Sequence, residues 1–108
     1  ARKNKVQLIG HVGQEPEIKT FDGGKKLANL TIATNDSYKN DKGEKVEQTE
    51  WHKVVAWGKT AEIIEKYVTK GKEIAIEGKL THRSYDDKNG EKRYVTEVVA
   101  NEVLLLGK

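Results

Sequence analysis

Gln48-Thr49-Glu50-Trp51-His52-Lys53-Val54-Val55-Ala56-Trp57, followed by Gly58-Lys59-Thr60-Ala61-Glu62-Ile63-Ile64-Glu65-Lys66-Tyr67, contains the change of period that decides the fold. The first ten residues read as a strand. Trp51, Lys53, Val55 and Trp57 fall on one face of an extended chain, and His52, Val54 and Ala56 on the other. Beyond Trp57 the alternation stops. A short helix is expected from Ala61 through Ile63, Ile64 and Tyr67, with Thr60 as its cap and Gly71 as its stop.

Working outward, extended structure dominates on both sides. Lys5 to Gly13, with Val6, Leu8, Ile9 and Val12, reads as a first strand, and Glu17 to Phe21 continues extended after the lone Pro16. Asp22-Gly23-Gly24 is a turn. Ala28, Leu30, Ile32 and Thr34 then alternate with polar or small residues, as in a half-buried second strand. Asn40-Asp41-Lys42-Gly43 makes a polar loop before the third strand. After the helix, Ile74, Ile76 and Leu80 mark a fourth strand, and Arg93 to Leu106 a fifth. Lys88-Asn89-Gly90 between them reads as a hairpin turn, Asn-Gly being favoured there because both residues tolerate positive φ. Five strands with one short helix between the third and fourth is the element order of an OB-fold, an all-β five-stranded Greek-key barrel.

Two segments echo one another. Ser37-Tyr38, Gly43-Glu44-Lys45 and Thr49-Glu50 recur 47 positions later as Ser84-Tyr85, Gly90-Glu91-Lys92 and Thr96-Glu97. Two hairpins of like construction are therefore expected, each with a tyrosine near the root of a charged arm.

The chain has 108 residues, which is one domain spanning 1–108. A domain of this size buries roughly 60–70% of its unfolded surface, enough for one small barrel core and too little for a deep enzyme cavity. With no cysteine there is no disulfide framework or thiolate metal site, so packing alone must hold the fold. No apolar run is long enough to span a membrane, and Ala1 to Lys5 is too short and polar for a signal peptide, so a soluble cytoplasmic protein is expected. A net charge of +3 permits a polyanionic partner without requiring one, and the placement of charges and rings has to decide.

That placement points to a nucleic-acid single strand. Sequence-independent binding needs cations that follow phosphates and flat rings that stack on bases. Trp51 and Trp57 flank Lys53 on one strand face, roughly 20 Å apart at 3.3 Å per residue, as two separate stacking stations. Tyr38 and Tyr85 add a ring at each arm, among Lys39, Lys42, Lys45, Lys59, Lys79, Arg83, Lys88, Lys92 and Arg93. Taken singly, each ring is more often a packing residue, and alternating charge is usually a solvated surface. Their coincidence favours binding. His11, His52 and His82 lack metal-ligand spacing, so no metal and no cofactor is expected. His52, opposite in parity to Trp51, reads as a hydrogen-bonded structural or interface residue. Asp86-Asp87 and Asp41 with Glu44 admit a metal-dependent hydrolase as an alternative, although turn chemistry accounts for them.

The chain resembles the bacterial-type single-stranded DNA-binding protein family over nearly its whole length. The resemblance rests on Leu8-Ile9-Gly10, Gly13-Gln14-Glu15-Pro16-Glu17, Thr49-Glu50-Trp51-His52-Lys53-Val54-Val55, Trp57-Gly58-Lys59, Ile76-Glu77-Gly78-Lys79-Leu80 and Tyr94-Val95-Thr96-Glu97-Val98-Val99. It implies a non-enzymatic OB-fold, usually a homotetramer, that coats single-stranded DNA in replication, recombination and repair, in the bacterial cytoplasm with the nucleoid. The family's stacking aromatics fall on Tyr38, Trp51, Trp57 and Tyr85, and its phosphate-contacting cations on Lys53, Lys59, Lys70, Arg83 and Arg93. Relatives often carry a different ring where Tyr38, Trp57 and Tyr85 stand. His52 falls at a subunit contact. The apolar first strand, with Val6 and Leu8, fits the same role, because an unpaired strand edge invites a partner. Bacterial members usually continue into a flexible linker and an acidic tip that recruits enzymes. The sequence through Leu104-Leu105-Leu106-Gly107-Lys108 contains no such tail, so protein partners of that kind are not inferred. A dimeric replication-restart accessory is the alternative within binding modules, and single-stranded RNA remains open as a ligand.

Overall fold

The computed structural model describes residues 3–107. It contains β1 (Val6–Val12), β2 (Glu17–Thr20), β3 (Lys26–Lys39), β4 (Lys45–Trp57), α1 (Gly58–Tyr67), β5 (Glu73–Asp86) and β6 (Lys92–Leu105). β1 pairs with β5 along its length and with β3 at His11 and Val12, so the sheet closes in the order β1-β5-β6-β4-β3-β1. β4 and β6 are parallel, and the other pairs are antiparallel. This is the five-stranded OB barrel expected from the element order. β2 is a short extra strand on β3, and counting it places α1 between β4 and β5.

Closure works because alternate residues agree on one interior. Ala28, Leu30 and Ile32 of β3, Val54 and Ala56 of β4, Ile74 and Ile76 of β5, and Val98 and Ala100 of β6 are all buried together. α1 covers one end of the barrel with Ala61 and Ile64, and Val68 follows them into the core. Such side chains each contribute about 1.5–3 kcal/mol when fully buried, alanine less. No helix among the described residues is long and apolar enough to cross a membrane.

The helix boundaries differ from those expected. Trp57, in extended backbone, occupies the N-cap, and the helix begins at Gly58 with no side-chain cap. The Thr60 hydroxyl instead donates to the Asn101 carbonyl at 3.5 Å. The helix ends at Tyr67, before Gly71, whose N–H donates to the Val12 carbonyl at 2.8 Å and ties the helix exit to β1.

β3–β4 and β5–β6 run on past the barrel as two arms. The alternation fades there because both faces of each arm meet solvent, while the backbone ladder continues to Lys39–Lys45 and Asp86–Lys92. The arms end in matching turns. Asn40 Oδ1 accepts from the N–H groups of Lys42 and Glu44, and Asp87 Oδ1 accepts from those of Asn89 and Glu91, all at 2.9 Å. Gly43 and Gly90 both lie at φ +79°. Asn89 does not take positive φ, because a three-residue loop closed by glycine needs only its last residue there.

Candidate nucleic-acid interface

β4 presents the expected outer face. Trp51 is 63% exposed and Trp57 42%, with Lys53 exposed between them. Val55, of the same parity, is buried, so the face dips at its middle. The dip is an open groove of about 380 Å³ bounded by Glu15 and Glu17, by Lys53, and by Arg83 and Glu97 of the β5–β6 arm.

Trp51 rests on Gly13. A Cβ added to Gly13 would stand 2.4 Å from Cζ3 of the indole and 3.2 Å from Cη2, so only glycine leaves room for the ring there. Trp57 is engaged differently. Phe21 stacks on it at 6.0 Å between ring centroids and 29° between planes, and Lys25 Nζ stands over the ring at 4.7 Å.

On the second arm, Arg83 Nε donates to Glu97 Oε1 at 2.7 Å, and its guanidinium lies 5.9 Å from the Tyr85 ring centroid. Glu97 is buried, and its hydrogen bond holds the Arg83 pKa above the ordinary arginine value. Arg93 Nε donates to Asp87 Oδ2 at 2.9 Å. The Asp87 carboxyl sits below its ordinary range, first because of the Glu91 N–H and then because of Arg93. Among the described residues, Lys53, Lys59 and Lys70 make no ion pair. Lys59 lies on the first turn of α1, and the Lys70 backbone N–H faces Glu15 Oε2 at 3.4 Å.

The structure therefore brings Trp51, Lys53, Trp57, Arg83 and Tyr85 to one surface. Tyr38, half exposed, stands on the opposite face of the β3–β4 arm, the face that carries His52. The His52 ring meets the Thr34 hydroxyl through Nε2 at 2.9 Å. Val6 and Leu8 pack against the core, whereas Ile9, Ala75 and Leu104 line up across β1, β5 and β6 on the outside. Ile9 is 61% exposed and Leu104 63%. The unpaired margin of β1 before His11 adjoins this patch. Sequence reasoning missed Phe21 and Lys25. The only trace of them was an aromatic just before Asp-Gly-Gly, which reads as the end of an extended segment.

The model of the Single-strand binding protein family matches residues 3–106. The chain belongs to this family. Its similarity to the Single-stranded DNA-binding protein 1 of Chlorobaculum tepidum is 47% identity over 105 residues, covering 96% of this chain and 65% of that protein. The chain thus spans less than two thirds of that relative's length. Single-stranded DNA-binding protein 1 of Xylella fastidiosa is 45% identical over 109 residues, which is 100% of this chain and 80% of the relative. Among solved structures of the family, the Plasmodium falciparum SSB in complex with ssDNA superposes with a TM-score of 0.90 at 31% identity, over 99% of this chain and 97% of that one. A deletion mutant of the single-stranded DNA binding protein from Thermus aquaticus gives 0.83 at 31% identity, over 96% and 50%.

Proposed function

We propose that this chain is a binding module, not an enzyme, that takes single-stranded DNA across the outer face of β4 without reading its sequence. One observation carries the reading: Trp51, seated on Gly13 and open to solvent, shares its face with the unpaired Lys53. A seated indole offers a base a ready stacking surface, and a neighbouring ammonium meets the phosphate beside that base. The names of the bacterial relatives and the DNA-bound Plasmodium structure support the same ligand. Tyr85, steered by Arg83, extends the track onto the second arm, with Lys59, Lys70 and Arg93 around it. Tyr38 lies on the reverse of the first arm, so a strand that meets both Trp51 and Tyr38 passes round that arm.

The β1 margin and the Ile9–Ala75–Leu104 patch supply a surface for a second copy. Self-association, as far as a tetramer, follows from covering that apolar face. His52 is reached only if a subunit also covers the inner side of the first arm. The cellular setting is DNA exposed during replication, recombination and repair in the cytoplasm of a bacterium, in keeping with the bacterial relatives.

A salt series with oligo(dT) and a duplex of equal charge tests the ligand. The free cations Lys53, Lys59 and Lys70 give a slope in log affinity against log salt near −2 per chain, at about −0.7 per phosphate contact. Equal affinity for duplex and single strand would overturn the proposal.

A further inference from the structure

We infer that Phe21 and Lys25, at the two ends of the Asp22–Gly24 turn, form with Trp57 a further binding station of the single-stranded DNA track. The inference rests on the reading of β4 as the binding face.

The turn delivers both residues to the same ring. The Phe21 N–H donates to the Lys25 carbonyl at 2.7 Å, and the Gly24 N–H to the Phe21 carbonyl at 3.0 Å, so the two side chains leave neighbouring points of one closed loop. Gly23 and Gly24, both at φ +84°, allow a loop this tight. Phe21 is 47% exposed and takes no part in the barrel core. Its one aromatic partner among the described residues is Trp57, itself 42% exposed, so the two rings make a continuous surface open to solvent. Phenylalanine has no polar group to satisfy in water, and an exposed ring beside an exposed indole lends a base a wider platform.

Lys25 supplies the charge. Its neighbour Lys26 is paired with Glu65, whereas among the described residues the Lys25 ammonium makes no ion pair or hydrogen bond and stands over the Trp57 ring. A cation held over an exposed ring is weakly bound, and its long stem leaves it free to turn toward a phosphate. In the free protein the ammonium covers part of the indole. With DNA bound, the ammonium moves to the backbone and a base takes its place.

Five variants test this against oligo(dT), each with its melting temperature recorded. Phe21→Ala is expected to weaken binding about fivefold or more, as for loss of a stacked base, and Phe21→Tyr to bind like the parent. Phe21→Leu keeps apolar packing against Trp57 without a π-face, and is expected to bind as weakly as Phe21→Ala. Lys25→Ala is expected to make the salt slope shallower by about 0.7. Full affinity in Phe21→Leu would make Phe21 a packing residue and overturn its part in the station. An unchanged slope in Lys25→Ala would overturn the role of the cation. Trp51→Ala in the same series separates the two readings: its weakening beside unaffected Phe21 and Lys25 variants rejects the station alone, whereas no effect in any of them rejects the binding face.

Discussion

Replacing Gly13 by alanine puts a methyl carbon 2.4 Å from Cζ3 of Trp51 and 2.8 Å from the Thr31 hydroxyl. Neither overlap can stand: the Thr31 side chain must turn its hydroxyl aside, and the indole, 63% exposed, has solvent to move into. The fold then loses little, on the order of 1 kcal/mol for a side chain pushed from its preferred rotamer. Binding loses what a seated stacking ring contributes, about 1–3 kcal/mol, or roughly a 5- to 150-fold rise in Kd for oligo(dT). The same substitution elsewhere reverses the outcome. At Gly10 the new methyl falls 2.2 Å from the Ala33 carbonyl oxygen, and at Gly78 2.1 Å from that of Val99. These are backbone atoms where strands cross at the barrel corners, and they cannot swing away. Overpacking of that kind costs about 1–3 kcal/mol or more, which lowers Tm by roughly 4–8 °C for each kcal/mol. Melting curves and oligo(dT) titrations of the three variants are the assay. The reasoning fails if Gly13→Ala binds like the parent, or if it loses as much thermal stability as Gly78→Ala.

Arg83→Ala is expected to lose thermal stability along with affinity, because it strands the buried Glu97 carboxylate, while Lys53→Ala loses affinity and salt slope alone; equal melting of the two variants would contradict the pairing. The Asp87 carboxyl is held below the ordinary aspartate range by the Glu91 N–H and then by Arg93. A depressed folded pKa stabilises the β5–β6 turn at every pH above the unfolded value, and that contribution is lost as pH falls through the folded one. The Asn89 and Glu91 amide resonances should therefore titrate below the usual aspartate range, and Asp87→Asn, which copies Asn40 of the other arm, should abolish the titration while keeping the turn. Titration in the ordinary range would refute the shift. Ile9→Asp combined with Leu104→Asp is expected to reduce the assembly seen by sedimentation, and an unchanged sedimentation coefficient would remove that patch from self-association.

Much of the barrel was legible because its interior obeys one rule. Where inward residues alternate with wetter ones, as at Ala28–Ile32, the period of two is plain in the sequence, and the switch after Trp57 locates the helix between the same two strands as observed. The arms were less legible in extent because a ribbon wet on both faces has no apolar period, and only the 47-residue echo revealed their common turn. The helix start was misplaced because threonine is a good cap in general, whereas here the chain turns at Gly58 and Thr60 is drawn to Asn101. At the site, the shared face of Trp51, Lys53 and Trp57 follows from parity within one strand. What parity cannot reveal is contact between strands distant in sequence: the seat of Trp51 on Gly13, the stack of Phe21 on Trp57, and the hold of Glu97 on Arg83.

The central claim is tested most directly by leaving Trp51 as the sole tryptophan, through Trp57→Phe, and titrating its fluorescence with oligo(dT) and with duplex of equal charge. Strong quenching by the single strand alone is the predicted result, since a base stacked on the seated indole has nowhere else to act. Unchanged fluorescence with the strand bound would mean that the bases do not meet Trp51, and would contradict the account of this face.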